Sequence, residues 1–325
     1  MGNEVSEPLV TIGITCFNAA DTIARAVGSA LAQNWPNFEV VIVDDFSTDD
    51  STDLIRAAIG GEPRAKLIRH SCNLGPAAAR NTILSEGRGE FIAFFDDDDE
   101  SLSDRIPNQV RTLAAYEQRT GVQLIACYAS GIRRYPNGYT LALPAIGSQG
   151  EQVPNGPGVA DYLLIYRRRA DWFYGSGTPA CALLARHSTF AAVGGFDAQL
   201  RRVEDADFAI RLALMGGHFV GTRQTLFIQY STSGLDKSAE RNLEAHQRLV
   251  CKQRTYLESI DRLDYAKRWP RLRYWHFNRR YQRFFLELAA LLVRHPFAVT
   301  RHLLTTGPRR FLHERRMRRR HHTCG

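Results

Sequence analysis

Three short groups of carboxylates stand out in this chain of 325 residues: Asp44-Asp45, Asp96-Asp97-Asp98-Asp99 and Glu204-Asp205. Four adjacent aspartates repel one another, so a cluster of them at a structured rim calls for a compensating cation. All-oxygen ligands favour Mg²⁺ or Mn²⁺ over zinc. Side chains alternate along an extended segment, which predicts Asp96 and Asp98 on one side and Asp97 and Asp99 on the other. A metal held by one or two of these carboxylates, with diphosphate oxygens in its other positions, fits that pair; a solvated acidic turn is the competing reading. Asp44-Asp45 can accept hydrogen bonds from a base N–H or a ribose hydroxyl. The same pair can form an Asx turn, with Asp50 or Ser51 capping the helix that follows. Glu204-Asp205 lies at a helix start, where acids complement the helix dipole or where one of them acts as general base on an acceptor hydroxyl.

The elements that must hold these groups follow from the apolar pattern. Strands are predicted over 9–17, 38–43, 65–69, 90–95 and 180–185 from their β-branched and apolar runs. Helical spacing of Ile23, Val27, Ala30 and Leu31 follows Asp21, a candidate cap. Further helices are predicted over 51–59, over 76–86 with Pro76 in the first turn, and over 206–215 before Gly216-Gly217. Strand–helix alternation with continuous apolar strands implies an α/β fold with a parallel sheet covered on both faces. Ligands of such sheets bind outside the carboxyl ends of the strands. There stand Thr15-Cys-Phe17-Asn18, Asp44-Asp45 and Asp96 to Asp99. Residues 131–178, rich in Gly, Pro and aromatics, read as long loops, and Gly194-Gly-Phe-Asp197 as a turn.

The length suits one large domain, or one domain with an appendage. Six cysteines at 16, 72, 127, 181, 251 and 324 contain no C-x-x-C pair, so no zinc or dithiol motif is indicated and a reducing cytosol is the simpler setting. Met1 to Pro8 does not read as a signal peptide. Phe284 to Val293, broken by Glu287, has about half the length of a spanning helix; no transmembrane segment is expected. The net charge of +8 is uneven: from Lys267 onward 16 Lys/Arg face two acids, while the rest has six more acids than bases. Arginines interleave with aromatics there, and Phe284, Phe285, Leu288, Leu291 and Leu292 recur at helical spacing. This predicts an interfacial helix on an anionic membrane surface; a helical appendage packed on the rest of the chain is the alternative. Nucleic acid is not an expected partner, because the remaining globule is acidic and holds no nucleic-acid module. His321, His322 and Cys324 read as a solvated tail end.

The ordered set of motifs resembles the family 2 inverting glycosyltransferases of the GT-A fold. It comprises Val10-Thr-Ile-Gly-Ile-Thr-Cys-Phe-Asn18, Val43-Asp-Asp-Phe-Ser-Thr-Asp49, Asn73-Leu-Gly-Pro-Ala-Ala-Ala-Arg-Asn81, Gly89-Glu-Phe-Ile-Ala-Phe-Phe-Asp-Asp-Asp-Asp99, Gly194-Gly-Phe-Asp197 and Glu204-Asp205. The resemblance implies that Thr15 and Phe17 line a nucleoside pocket, that Asp45 reads the base, and that Arg80 approaches the diphosphate. It implies that Asp96 and Asp98 form the D-x-D pair, with Asp98 the metal ligand, and that Asp205 is the base. It also implies a Mn²⁺ or Mg²⁺ cofactor and a nucleotide-sugar donor, UDP-linked by analogy. The acceptor would be a glycan or a lipid-linked sugar of surface polysaccharide or lipopolysaccharide-type synthesis. One departure is Phe227-Ile-Gln-Tyr230, where family members often carry an aromatic-Arg-x-His stretch. The Gln-x-x-Arg-Trp motif of processive synthases is absent.

These readings assign 1–235 to a GT-A catalytic domain and 236–325 to a basic helical extension. They expect a cytoplasmic enzyme, peripheral on the cytoplasmic face of a membrane. The rival is a non-catalytic sugar-nucleotide-binding protein or membrane-attached partner of other transferases, which Tyr230 favours and the intact Asp98 and Asp205 disfavour. A nucleotidyltransferase would want a Gly-rich basic loop after the first strand, and Phe17-Asn-Ala-Ala is not one.

Overall fold

A computed structural model describes residues 7–231 and 238–319, with side chains to residue 307. The chain divides into two compact units: residues up to 134, 140–159 and 170–230 form one, and 135–139, 160–169 and the chain from 231 onward form the other.

The first unit is built on one sheet. β1 (Val10–Cys16), β2 (Phe38–Asp44), β3 (Ala65–Arg69) and β4 (Phe91–Asp96) are parallel, in the order β3-β2-β1-β4. β1, β2 and β4 are buried along nearly their whole length, the outcome expected of uninterrupted apolar runs covered on both faces. α1 (Ile23–Leu31), α2 (Ser51–Ile59) and α3 (Pro76–Glu86) connect them. Asp21 does not cap α1: the cap position is Thr22, whose side chain makes no capping bond, and the backbone N–H groups of Thr22 and Ile23 donate to the Ala19 carbonyl instead. α3 packs closely on β1 at Gly13, where a Cβ would stand 2.4 Å from Ile83. Register places Thr15 between Val43 and Asp96, so the strand ends share one rim.

Beyond β4 the sheet becomes mixed. The two-residue β5 (Glu100–Ser101) precedes α4 (Arg105–Thr120), β6 (Ile125–Arg134) and β7 (Thr140–Leu143). α5 (Pro157–Ile165) follows, then a 3₁₀ turn at Ala180–Ala182 and β8 (Leu183–Arg186). α6 (His187–Val193), α7 (Glu204–Leu214) and β9 (His218–Tyr230) complete this part. β8 lies antiparallel between β4 and β6, β9 runs parallel to β6, and β5 pairs antiparallel with the end of β9. Residues 131–178 are therefore more than loops: they contain the end of β6, all of β7 and α5. Pairing with β6 makes the short β7 a strand, which its four residues alone do not signal. The strand expected over 180–185 begins only at Leu183, and the helix expected from 206 already includes Glu204 and Asp205.

The second unit is helical. α8 (Ala239–Lys252), α9 (Arg254–Ser259), α10 (Leu263–Phe277), α11 (Tyr281–Arg294) and α12 (Pro296–Arg319) follow one another. Its core gathers Ile165, Leu257, Tyr265, Ala266, Leu272, Leu291 and Val299. The predicted apolar stripe of α11 divides: Leu291 is buried and Phe284 and Leu288 pack on that core, while Phe285 stays 62% exposed and Leu292 38%. No described helix is long and apolar enough to cross a membrane. His321, His322 and Cys324 lie outside the described residues.

Candidate active site

The Asp44-Asp45 end of β2 is saturated with protein donors. Asp44 Oδ1 accepts from the Ser47 N–H at 2.9 Å and Oδ2 from the Thr52 hydroxyl at 2.6 Å, with Arg69 Nε 3.2 Å away. Asp44 thus folds its own loop through a bond to residue 47, while Asp50, at the cap position of α2, makes no side-chain capping bond. Asp45 Oδ1 receives the Leu74 N–H at 2.9 Å and faces His70 Nδ1 at 2.7 Å; Oδ2 receives the Gly75 N–H at 2.7 Å. Gly75 has a φ of 91°, a left-handed conformation suited to glycine at the entry to α3. Asp45 is thus buried and spent on fixing loop 70–75, and its side chain has little acceptor capacity left for a base. Asp49 and Asn18 tie the neighbouring loops together, through Ala20 N–H and Ser51 on one side and Thr48 on the other. Beside these loops Phe17, Phe46 and Leu74 remain exposed. Thr15 is half-buried in the ladder.

The Asp96–Asp99 end of β4 is different. β4 stops at Asp96 and the chain turns at Asp97 and Asp98. The alternation expected of an extended segment therefore fails beyond Asp96. The turn brings Asp96, Asp99 and the Cys181 thiol together, with ligand atoms within 4.8 Å of one another. Asp98 is not part of that group; it is half-buried, and its carbonyl accepts from Arg25 Nη2 at 2.7 Å. Asp97 accepts the Phe17 N–H at 3.0 Å. Burial drives its pKa up to about 7, opposed by that bond and helped by Asp96 and Asp98. Asp99 is buried, and neither carboxylate oxygen accepts a well-formed hydrogen bond. Burial, then Asp96 and Asp98, push it up to about 8; a poorly aligned Tyr230 N–H and the charge of Arg105 offset this in part. Burial raises Asp96 as well, against the pull of Arg80. Crowded carboxylates with orphaned buried oxygens have the donor chemistry of a divalent-cation site.

The third carboxylate group faces the same cluster. Arg80 on α3 is buried, with Nη1 2.5 Å from Glu204 Oε1 and Nη2 3.6 Å from Asp96 Oδ1. Arg80 thus pairs with protein carboxylates on both sides. Glu204 is committed to Arg80; Asp205, one residue on, is only partly buried. Asp205 Oδ1 accepts the adjacent Ala206 N–H at 2.7 Å. Burial and then Glu204 raise its pKa to about 6, with Arg80 and the Ala206 N–H opposing and Asp96 adding a little. The turn at Gly194–Phe196 ties α3 to α7: Asn81 on α3 donates to the Phe196 carbonyl and accepts its N–H, at 2.7 and 2.8 Å, and Arg211 on α7 donates to the carbonyls of Val193 and Gly195. Asp205 and Asp96 therefore share one charge cluster around Arg80.

Several residues here escaped the sequence reading. Arg105 on α4 is buried beneath the aspartates, held by Gln109, Ser101 and the Phe94 carbonyl at 2.9–3.0 Å, and burial lowers it to about 10. Its signal was a cation within the buried face Arg105, Ile106, Gln109, Val110, Leu113 and Tyr116. Tyr128 on β6 is fully buried; burial first and the Asp205 charge second raise its phenol. Tyr230 donates to Glu100 at 2.8 Å, and the Arg25 guanidinium lies 4.1 Å from its ring centre. Tyr230, which the resemblance aligns with a histidine, thus spends its hydroxyl on Glu100.

A family model described as "Glycosyl transferase family 2" matches residues 11–175. The chain belongs to that family. The transferase is 41% identical over 102 residues to an Escherichia coli protein named UDP-Glc:alpha-D-GlcNAc-diphosphoundecaprenol beta-1,3-glucosyltransferase WfaP, covering 31% of this chain and 40% of that one. It is 43% identical over 103 residues to the Rhizobium meliloti succinoglycan biosynthesis protein ExoO, covering 32% of this chain and 29% of that protein. A longer match, 27% over 229 residues, is to the putative glycosyltransferase EpsE of Bacillus subtilis, with 68% and 73% covered. The aligned part spans well under half of ExoO and WfaP. The solved structure of S. aureus TarS 1–349 with UDP superposes with a TM-score of 0.56 at 18% identity, over 83% of this chain and 72% of that one. That likeness supports the GT-A fold of the transferase.

Proposed function

We propose that the transferase moves a sugar from a UDP-sugar to a glycan or lipid-linked acceptor in surface polysaccharide synthesis, inverting the anomeric carbon. The reading is carried by one observation: Asp96 and Asp205 both feel the charge of the buried Arg80 in one cluster, while Glu204 is paired with that arginine. The nucleoside lies along Phe17 and Phe46, with Thr15 beside it and Asp45 holding the loop that shapes the pocket. By the resemblance Asp98, with Asp96, would hold a Mn²⁺ or Mg²⁺ ion, the buried Asp99 standing beside Asp96, and the ion would supply positive charge to the diphosphate. Arg80 fixes Asp96 and Glu204 on either side of the reacting centre. Asp205 accepts the proton of the acceptor hydroxyl as its oxygen bonds to the anomeric carbon and the nucleoside diphosphate leaves from the opposite face. With Glu204 engaged, one carboxylate remains for this work, which favours a single displacement over a covalent intermediate. UDP is the nucleotide in the names of WfaP and of the TarS complexes, and the diphosphoundecaprenol in the WfaP name suggests the lipid-linked acceptor.

Residues 1–235 act as the catalytic domain and 236–325 as an extension that meets an anionic membrane on its cytoplasmic face. Val293 and Phe297 are 83% and 89% exposed in a region rich in arginine, which suits headgroup contact. The test is a donor screen with and without Mn²⁺ on wild type and Asp205→Asn. Sugar release from one UDP-sugar by wild type alone, with product of inverted configuration, is expected. Equal turnover by the variant removes Asp205 from its role, and nucleotide binding without turnover by wild type favours the non-catalytic rival that Tyr230 suggests.

A further inference from the structure

The segment that carries Asp98 is held from α1. Arg25 and Ser29 on α1, and Gln33 just beyond its end, follow one another at four-residue spacing. Each bonds the backbone that leaves β4. Arg25 Nη2 donates to the Asp98 carbonyl at 2.7 Å, the Ser29 hydroxyl accepts the Ser101 N–H at 3.1 Å, and Gln33 Nε2 donates to the Leu102 carbonyl at 2.9 Å. Of the three, Arg25 alone is charged. Although it lies against the aspartate turn, it pairs with no acid among the described residues. Its bond goes to a main-chain oxygen, and its guanidinium lies 4.1 Å from the ring centre of Tyr230. That ring is itself fixed, by the Tyr230 hydroxyl on Glu100 at 2.8 Å and by the pairing of Glu100 with Ile228 on β9. A second tether reaches the same turn from the end of β1, where the Phe17 N–H donates to Asp97 at 3.0 Å.

A guanidinium is flat, so it can rest on an aromatic face while its edge donates a hydrogen bond. A charged donor makes that bond stronger than a neutral one. The peptide unit is planar, so fixing the Asp98 carbonyl fixes the plane that joins Asp98 to Asp99. We propose that Arg25 is a positioning residue for the cation: stacked on Tyr230 and bonded to the Asp98 carbonyl, it holds Asp98 in the conformation that binds the metal. This rests on the reading of Asp98 as a metal ligand. It also gives Tyr230 a task, which lies in its ring and not in its hydroxyl. Charge and position make opposite demands here. Two cations repel, so an Arg25 that acted by charge alone would weaken metal binding, and its removal would tighten it. An Arg25 that positions Asp98 gives the reverse sign.

The experiment titrates the full chain with Mn²⁺ at saturating UDP, read by electron paramagnetic resonance, in wild type, Arg25→Met, Arg25→Lys, Tyr230→Phe and Tyr230→Ala. Arg25→Met keeps much of the apolar stem and removes donor and charge; it should raise the Mn²⁺ dissociation constant at least about 10-fold. Arg25→Lys, which keeps the charge and one donor without the flat stack, should fall between the two. Tyr230→Phe keeps the ring and should stay near wild type, while Tyr230→Ala should shift in the direction of Arg25→Met. Melting temperature and UDP affinity in EDTA should stay near wild type throughout, which a merely structural role for Arg25 would not allow. Unchanged or tighter Mn²⁺ binding in Arg25→Met overturns the proposal. So does a weakening matched by equal losses of melting temperature and UDP affinity in EDTA, in Arg25→Met and Arg25→Lys alike. Equal Mn²⁺ binding by Tyr230→Phe and Tyr230→Ala overturns the part given to the ring. Absence of UDP-dependent Mn²⁺ binding in wild type overturns the reading of the rim itself, and this proposal with it; wild-type binding that Arg25→Met retains in full overturns this proposal alone.

Discussion

Two aspartate groups end the parallel strands on either side of β1, and their surroundings differ. At the end of β2, Asp44 and Asp45 have both carboxylate oxygens engaged by backbone N–H groups, a hydroxyl, an arginine or a histidine. At the end of β4, neither Asp99 oxygen accepts a well-formed hydrogen bond among the described residues, and Asp96, Asp97 and Asp99 are all driven toward protonation by burial. The first group shapes the loops around it; in the second, Arg80 and Arg105 offset the crowded charge only in part, and that suits a cation. Residue type and position after a strand are the same in both, so donor supply is what separates a structural aspartate from a ligand-binding one.

That contrast can be broken by substitution. Asp205→Asn, which removes the proton acceptor, should lower kcat by about 10²–10⁴-fold while UDP affinity holds; steady-state kinetics and calorimetry read both. In wild type, kcat/KM should rise with pH through an apparent pKa near 6, because Asp205 must be ionised to take a proton. Asp98→Ala should lower kcat by about 10³-fold with no loss of melting temperature, and added Mn²⁺ should not restore it.

Stability offers a smaller effect with a definite sign. Asp97, Asp99 and Asp205 have folded-state pKa values of about 7, 8 and 6, above the unfolded value of about 4. Raised acid pKa values mean that the folded chain binds more protons than the unfolded chain between roughly pH 4 and 8, so this contribution to stability falls as pH rises through that window. The melting temperature in EDTA should drop by about 5 °C or more between pH 5 and 8, and Asp99→Asn should shrink the drop. Asp45→Asn should act through structure instead: a loss of about 1–3 kcal/mol, because buried N–H groups lose their charged acceptor, with weaker UDP binding as a consequence. Smallest of all, Tyr230→Phe removes one bond to Glu100 and should change kcat by no more than about 10-fold.

Much of the first half of this architecture was legible in the sequence. β1, β2, β4 and α3 lie within a residue or so of their expected bounds, because long β-branched runs and Pro76 leave the backbone little choice. Partners distant in sequence were not legible. Asp45 is filled from residues 70–75, Arg80 meets Glu204 across 124 residues, and Cys181 joins Asp96 and Asp99 only once β8 is in place. The alternation argument failed at Asp98 because it assumes a strand that has already ended. In the helical unit, spacing found the apolar positions of α11, yet periodicity has no means of telling Leu291, inside, from Phe285, outside.

The most direct test of a cation-dependent rim is Mn²⁺ binding followed by electron paramagnetic resonance, with and without UDP, in wild type, Asp98→Ala and Asp45→Asn. The account predicts UDP-enhanced Mn²⁺ retention in wild type, its loss in Asp98→Ala, and its persistence at saturating UDP in Asp45→Asn. Equal Mn²⁺ retention by wild type and Asp98→Ala, or loss in Asp45→Asn alone, would contradict it.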